Sequence, residues 1–328
     1  MKKRFDAYGV IGIIGLAKNT GKTTTLNAII NQLKNSSLGI TSIGLDGEST
    51  DQIHFLPKPR IYVHEDMVVA TTTLCLSQSS IDYEVIMNSK IMTALGEVLV
   101  IRVIKPGYVI VAGPTTNQEL SQMIVLMKKH VKHILIDGAL NRLTFSAISH
   151  IDGIVLATGA SVSPHMDKTL ELTRMMVELF TLKRTGKESS LRSGIWIETD
   201  KELTILKDKN VEHFSTVIAS LENRINYIEF GGAITDSLLD VIINHRISHV
   251  ELCGRDASRF LMSPTRYRYL KQLNITLSVK HPVKLICITL NPTRPTGESY
   301  DQRMFKEKLK EITDIDVINV MEEMDEKT

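Results

Sequence analysis

The sequence predicts an α/β fold built on a parallel sheet with helices on both faces. Short apolar runs alternate with stretches of helical periodicity along the first half of the chain. Two of these runs end in Asp-Gly, and one glycine-containing loop lies between a strand pattern and a helix pattern. Alternation of this kind is typical of βα units whose strands run parallel.

The loop at residues 15–25 has the residue types of a phosphate-binding loop. The preceding run, Val10–Ile14, is short and mostly β-branched, which predicts a buried strand. Apolar residues then recur at helical spacing, so a helix is expected to begin near Lys22. Backbone N–H groups at a helix start bind phosphate oxygens. Lys22 would carry a positive charge to the β- and γ-phosphates, and the Thr23 hydroxyl would ligate Mg²⁺.

The loop departs from the usual pattern at one position. A glycine is expected at position 16, where this chain has Leu16, and Gly15 lies one residue earlier. Either the loop is one residue longer, or its first turn is made without glycine. The residues predicted to bind a nucleotide, with ATP and Mg²⁺ as the expected ligands, are Gly15, Lys18, Asn19, Thr20, Gly21, Lys22, Thr23 and Thr24.

Two acidic residues follow predicted strands, and we expect them at the same edge of the sheet. Asp46 comes after the run at 40–45, and Asp137 comes after the run at 133–136. Ligands of parallel α/β sheets bind at the carboxyl ends of the strands. Asp46 and Asp137 are therefore predicted to hold Mg²⁺ together with Thr23, and to act in catalysis by positioning the metal or a water. Each carboxylate has an alternative role as the cap of a turn.

Lys18 lies inside the loop, four residues before Lys22. In one branch of dimeric phosphate-loop enzymes, an extra loop lysine reaches the nucleotide of the partner subunit. That lysine usually lies one residue further upstream and is followed by two glycines, whereas Asn19 and Thr20 follow here. Two alternatives stay open: a lysine acting in trans within a homodimer, or an exposed lysine near the phosphates.

The composition argues against several classes of partner. The 328 residues are 43% hydrophobic and 23% charged, ordinary values for a globular chain of one large domain or two. The net charge of +2 predicts neither nucleic acid nor an acidic membrane surface as a partner. No apolar run approaches the roughly 18 residues that span a bilayer. The three separated cysteines are expected to be buried free thiols in a reducing cytoplasm.

The chain is predicted to consist of two domains. Residues 1–182 form the nucleotide-binding domain, with a β-rich insertion at about 53–113 that contains a turn at 105–108 and serves as a lid, a partner surface or a structural elaboration. The polar stretch Thr181–Ser193 is an exposed connection, and residues 194–328 form a C-terminal α/β domain. Helices of that domain are predicted near 201–210, 235–244, 256–262 and 301–311.

Four stretches of the chain resemble the KamB-type reactivase subunit of adenosylcobalamin-dependent lysine 5,6-aminomutase, a P-loop NTPase. They are residues 15–27, 43–48, 135–142 and 290–297, and they span most of the chain. The resemblance implies an ATP-dependent protein that opens an aminomutase of lysine degradation and releases damaged cobalamin. It also implies a second, MutS-like reactivase subunit as a partner. It does not imply that this chain binds cobalamin.

Two further functions stay open from the residues alone. One is an ATP-dependent ligase or kinase of dethiobiotin-synthetase-like design, in which the C-terminal domain supplies the acceptor pocket. The other is an adaptor that binds nucleotide without hydrolysing it. The guanine-selecting Asn-Lys-x-Asp pattern is absent, which favours adenine weakly.

Overall fold

The computed structural model describes residues 2–44, 61–139, 150–188, 193–208, 210–221 and 224–325. The chain divides into two compact units, residues 1–170 with 284–328, and residues 171–283. The helices are α1 Lys2–Phe5, α2 Lys22–Gln32, α3 Thr73–Ser77, α4 Asn117–Met127, α5 Met166–Phe180, α6 Val211–Ser220, α7 Asp236–Asn244, α8 Pro264–Gln272, α9 Gln302–Glu311 and α10 Val320–Asp325.

The first unit is built on a ten-stranded sheet. Its strands are β1 Val10–Gly15, β2 Leu38–Ser42, β3 Ile61–Val63, β4 Val68–Thr72, β5 Ser80–Thr93, β6 Gly96–Val109, β7 His133–Ala139, β8 Gly153–Gly159, β16 Lys284–Asn291 and β17 Val317–Asn319. The order is β17-β16-β8-β1-β7-β2-β4-β6-β3, and β5 pairs with β6. All neighbours from β17 to β4 are parallel, whereas β6 is antiparallel to β3, β4 and β5. The predicted fold class, a parallel α/β sheet with a β-rich insertion, is confirmed.

Helices cover both faces of this sheet. Leu38 and Ile40 of β2 belong to a buried cluster that includes Ile29 of α2. Gly39, between them, points to the opposite face, where a side chain would meet Met127 of α4. The alternation of side chains along β2 therefore places α2 and α4 on opposite faces.

The β-rich insertion is continuous with the sheet, because β4 pairs in parallel with β2. The turn predicted at 105–108 is instead part of the long strand β6. Pro106 and Gly107 lie where the register with β5 shifts by one residue between Ser80 and Asp82. A bulge accommodates a proline that cannot donate a ladder hydrogen bond. A side chain at Gly107 would lie 1.9 Å from the Ser80 carbonyl oxygen, so the strands approach too closely for any other residue.

The second unit has a five-stranded sheet of its own, in the order β10-β9-β11-β13-β15. These strands are β9 Ile195–Thr199, β10 Leu203–Leu206, β11 Ile225–Phe230, β13 Glu251–Gly254 and β15 Thr276–Val279, and the unit also contains the short pair β12 Ile234–Thr235 and β14 Phe260–Leu261. Strands β11, β13 and β15 are parallel, whereas β9 runs antiparallel to both β10 and β11.

Two helices predicted in this region are not formed. The segment at 201–210 contains β10, because a tight turn in which the Thr199 backbone N–H donates to the Glu202 carbonyl at 2.9 Å reverses the chain onto β9. The segment at 256–262 forms a short 3₁₀ helix, Ala257–Arg259, followed by β14. Helices predicted at 235–244 and 301–311 correspond to α7 and α9.

The division of the chain differs from the predicted one. Strands β16 and β17 were expected in a C-terminal domain at 194–328, and they instead complete the sheet of the first unit beside β8. Apolar periodicity identifies a buried strand but carries no information about which sheet the strand joins. The three cysteines Cys75, Cys253 and Cys287 are buried and free, as expected. No helix within the described residues is long and apolar enough to cross a membrane.

We expect Gly39→Ala to destabilise the first unit. The new Cβ would lie 2.8 Å from Met127 Cε and 2.9 Å from Val131 Cγ2, so the helix face must shift. Overpacking of this kind costs about 1–3 kcal/mol. Urea denaturation measures the loss, with Gly12→Ala as the control, since its Cβ would meet its nearest atom, Ile151 Cδ1, at an ordinary 3.4 Å. Equal urea midpoints for the two variants would contradict the close packing of helix α4 against Gly39.

Candidate functional site

The loop between β1 and α2 lies between a buried strand and the start of a helix, as the sequence predicts. Strand β1 ends at Gly15, and the Leu16 N–H still donates to the Ala157 carbonyl on β8 at 3.0 Å. The loop closes at Gly21, whose φ of 85° lies in the left-handed region that favours glycine. Helix α2 then starts at Lys22. Strand, loop and helix start therefore occur in the predicted order.

Gly15 explains how the loop forms without a glycine at position 16. A Cβ at Gly15 would lie 2.5 Å from Thr20 Oγ1 and 2.9 Å from Lys22 Cδ. The Thr20 side chain is buried and donates to the Ala17 carbonyl at 3.0 Å. The end of β1 thus needs a residue without a side chain, because the loop folds back over it. The glycine that permits this close approach is therefore Gly15, one residue before the position at which the usual loop pattern has its glycine.

The start of α2 is suited to an anion. Gly21 caps the helix without a side-chain hydrogen bond, and the first turn contains no acidic residue. The N–H groups of a first turn have no partner within their helix, and the helix dipole favours negative charge there. Lys22 and Thr23 are half-buried beside these groups, whereas Lys18, Asn19 and Thr24 are exposed.

A residue that sequence reasoning did not single out holds the tip of the loop. Asn291, at the end of β16, donates from Nδ2 to the Asn19 carbonyl at 3.0 Å, and Ser161 Oγ donates to the same oxygen at 3.2 Å. Asn19 has a φ of 61°, a conformation that non-glycine residues adopt infrequently. Two donors therefore fix a strained residue: Asn291 is at the end of β16, and Ser161 follows the neighbouring strand β8. We call this arrangement the Asn19 clamp.

Strand β16 also holds helix α2, which follows the loop. Thr25 Oγ1 of α2 donates to Thr289 Oγ1 of β16 at 2.8 Å in a buried setting. A signal for these contacts was present in the sequence, since Asn291 directly follows an apolar run, the position at which functional side chains of α/β sheets gather.

Asp137 lies on the strand next to the loop. Its Cα is paired with Ile13 on β1 and with Ser42 on β2, so it sits near the carboxyl ends of the central strands. Its side chain is half-buried. Asp46, predicted as the second acidic partner, lies outside the described residues, and so does Arg142 of the stretch at 135–142.

The residues present fit a Mg²⁺–nucleotide by their chemistry. The hydroxyl of Thr23 and the carboxylate of Asp137 are hard oxygen donors of the kind Mg²⁺ takes, and the uncapped first turn of α2 supplies N–H donors for phosphate oxygens. Within the described ranges, no group of three or more His, Cys, Asp or Glu side chains gathers as a metal centre. A Mg²⁺ ion held by Thr23 and Asp137 would therefore also need oxygen ligands from the nucleotide.

Comparison with known proteins gives only distant likenesses. No family model matches the chain, and no curated protein matches it. The kinase domain of Escherichia coli tyrosine kinase ETK is 12% identical with a TM-score of 0.27, over 56% of this chain and 71% of that chain. ParA of pNOB8, in a structure bound to nonspecific DNA, is 13% identical with a TM-score of 0.27, over 55% of this chain and 63% of its own. A TM-score of 0.27 is too low to transfer an activity or a partner.

We expect Asn291→Ala to loosen the loop. Removal of one of the two donors to the Asn19 carbonyl forfeits about 0.5–1.5 kcal/mol, which corresponds to a roughly 2- to 10-fold faster opening. Hydrogen exchange of a peptide that covers residues 16–21 measures this rate. Asn88→Ala, at an exposed position on β5, is the matched control and should leave the loop unchanged. Unaltered exchange in Asn291→Ala would show that the clamp does not hold the loop.

Proposed function

We propose that this chain is a P-loop ATPase that acts as the reactivase subunit of an adenosylcobalamin-dependent aminomutase and promotes release of damaged cobalamin. Nucleotide binding is supported mainly by the start of helix α2, which has no side-chain cap and has Lys22 as its first residue. The helix follows a loop that folds back over Gly15. The reactivase part rests on the resemblance of the four sequence stretches.

One contact in the structure supports the view that the resembling stretches belong to a single site. The stretches at 15–27 and 290–297 lie far apart in the sequence, and the Asn19 clamp joins them directly. The stretch at 135–142 begins on β7, the strand paired with β1. Three of the resembling stretches therefore converge on one edge of the sheet, as expected if they serve a single site.

The residues divide the work as follows. The amides of the loop and the first turn of α2, together with Lys22, bind and orient phosphate oxygens. Thr23 and Asp137 hold the metal, and Asp46 positions a metal ligand or a water. Bound Mg²⁺–ATP supplies the phosphoryl group and the charge that neutralises its oxygens. Positioning and charge neutralisation contribute most to phosphoryl transfer, so hydrolysis needs few further groups.

The proposal includes protein partners. The client is an aminomutase with bound cobalamin, and a MutS-like subunit completes the reactivase. A homodimer is a further arrangement, in which Lys18 would reach the nucleotide of the partner subunit. Lys18 is exposed at the loop, as either a trans-acting or a solvated lysine would be.

We expect Lys22→Ala to weaken binding of Mg²⁺–ATP about 10- to 100-fold, because it removes a charge-assisted hydrogen bond to phosphate. Isothermal titration with ATP and with GTP measures affinity and base preference together. Lys34→Ala, an exposed lysine just beyond the other end of α2, is the matched control and should bind as the unaltered chain does. Equal affinities for the two variants would contradict nucleotide binding at this loop.

The reactivase role is tested with an aminomutase that has been inactivated by turnover. Addition of this chain, the MutS-like subunit, ATP and fresh adenosylcobalamin should restore turnover, and Lys22→Ala in place of the unaltered chain should not. Release of the damaged cobalamin is followed by its absorbance after filtration. ATP hydrolysis that does not respond to the mutase, together with phosphorylation of a small carboxylate acceptor, would instead favour the ligase or kinase.

A further inference from the structure

The chain after β16 forms a short hairpin, residues 292–300. The Tyr300 N–H donates to the Pro292 carbonyl at 2.9 Å, and the Arg294 N–H donates to the Glu298 carbonyl at 2.8 Å. Both bonds join backbone groups within the hairpin, so they fix the positions from which its side chains extend. The hairpin directly follows the last residue of β16, the strand that contributes to the Asn19 clamp.

Arg294 joins this hairpin to the segment that follows β8. Its Nε donates to the Ala160 carbonyl at 2.9 Å, and its Nη2 donates to the Ser163 carbonyl at 2.8 Å. The Tyr300 hydroxyl donates to the same Ser163 oxygen at 2.5 Å. A guanidinium presents its N–H donors in a rigid fork, whereas an ammonium is a point charge on a flexible stem. Arg294 can therefore hold two carbonyls in a fixed relation, which a lysine could not.

The contacts of Arg294 with backbone oxygens matter more than its ion pair. Its side chain is 17% exposed, whereas Glu298, which accepts from Nη1 at 2.5 Å, is 71% exposed. An ion pair whose acid is this exposed contributes little to stability. The bonds to the Ala160 and Ser163 carbonyls are part-buried. We therefore attribute the structural effect of Arg294 to these two carbonyl contacts rather than to its charge.

The segment held in this way carries Ser161, one of the two donors of the Asn19 clamp. Ser161 lies between the two residues whose carbonyls Arg294 holds. Its Oγ donates to the Asn19 carbonyl at 3.2 Å, which is long for a hydrogen bond from a hydroxyl. Because this bond is near its limit, a small displacement of the backbone at residue 161 breaks it. The contacts thus run from Arg294 through Ser161 to the tip of the loop.

We propose that Arg294 is a positioning residue for the loop at residues 15–25. By fixing the segment that carries Ser161, it keeps the tip at Asn19 in the conformation found in the structure. Ordering a loop before its ligand binds raises affinity, because less freedom is lost on binding. Arg294 thus favours the proposed binding of nucleotide phosphate without contacting the nucleotide. This last step rests on the proposed function, whereas the effect on the loop does not.

A double-mutant cycle in the full chain tests whether Arg294 acts through Ser161. Hydrogen exchange of a peptide that covers residues 16–21 is compared in the parent, Arg294→Ala, Ser161→Ala and the double variant. Either single variant should accelerate exchange about 2- to 10-fold, the effect of one lost hydrogen bond. The double variant should exchange no faster than Ser161→Ala. Additive effects, or unchanged exchange in Arg294→Ala, would overturn the proposal, because a merely structural role of Arg294 does not require Ser161.

Further variants separate geometry from charge and from general stability. Arg294→Lys keeps the charge but cannot span both carbonyls, so it should exchange as Arg294→Ala does, and full rescue would overturn the role of the guanidinium. Arg303→Ala is the matched control, an arginine of α9 that is 89% exposed, and should leave the loop unchanged. If Arg294→Ala also accelerates exchange in β1, the cycle is repeated with Tyr300→Phe, which removes one of the two donors to the Ser163 carbonyl.

Isothermal titration with Mg²⁺–ATP distinguishes failure of this proposal from failure of the proposed function. Arg294→Ala and Ser161→Ala should both weaken binding, by no more than the factor by which exchange is accelerated. A parent chain that binds no ATP contradicts nucleotide binding at the loop, and the exchange data still decide whether Arg294 positions it. Equal affinities for the parent and both variants would overturn the contribution of Arg294 to nucleotide binding.

Discussion

The loop at residues 15–25 depends on one close approach, that of Thr20 and Lys22 to the backbone of Gly15. Because Gly15 has no side chain, Thr20 can be buried against the end of β1 and Lys22 can begin the helix directly above it. The rest of the loop is built around this fold-back. Helix α2 starts at Lys22 just beyond this fold-back, and the tip at Asn19 meets its two donors, Asn291 of β16 and Ser161 after β8.

Local parts of the site were predictable from the sequence because their signals are local. The β-branched run at 10–14, the spacing of Leu26 and Ile29, and the Gly-Lys-Thr triplet each act over a few residues. The same holds for Asp137, which directly follows a short apolar run. The pairing within the Asn19 clamp was not predictable in this way. The position of Asn291 after an apolar run marks it as a candidate, but nothing local links it to Asn19, which is 272 residues away.

The errors in the fold have physical causes of the same kind. Residues 201–210 have the periodicity of a helix. They form β10 instead, because a turn with a hydrogen bond from the Thr199 N–H reverses the chain. Pro106 and Gly107 are residue types typical of a turn, but a bulge accommodates them within strand β6. Helix α8 was missed although Ser263 and Pro264 are a favourable helix start, with Ser263 accepting from the Arg266 N–H.

The way in which the chain leaves and re-enters the first sheet has a consequence for synthesis. Strand β8 ends at Gly159, and its neighbour β16 begins only at Lys284, after the whole second unit. A nascent chain therefore exposes the edge of β8 while more than a hundred residues are still being made, and an unpaired edge is prone to wrong pairing. The loop sequence emerges among the first residues, yet its clamp arrives among the last. The final shape of the loop is thus coupled to completion of the polypeptide, and a truncated product retains the loop sequence without the contact from Asn291 that supports it.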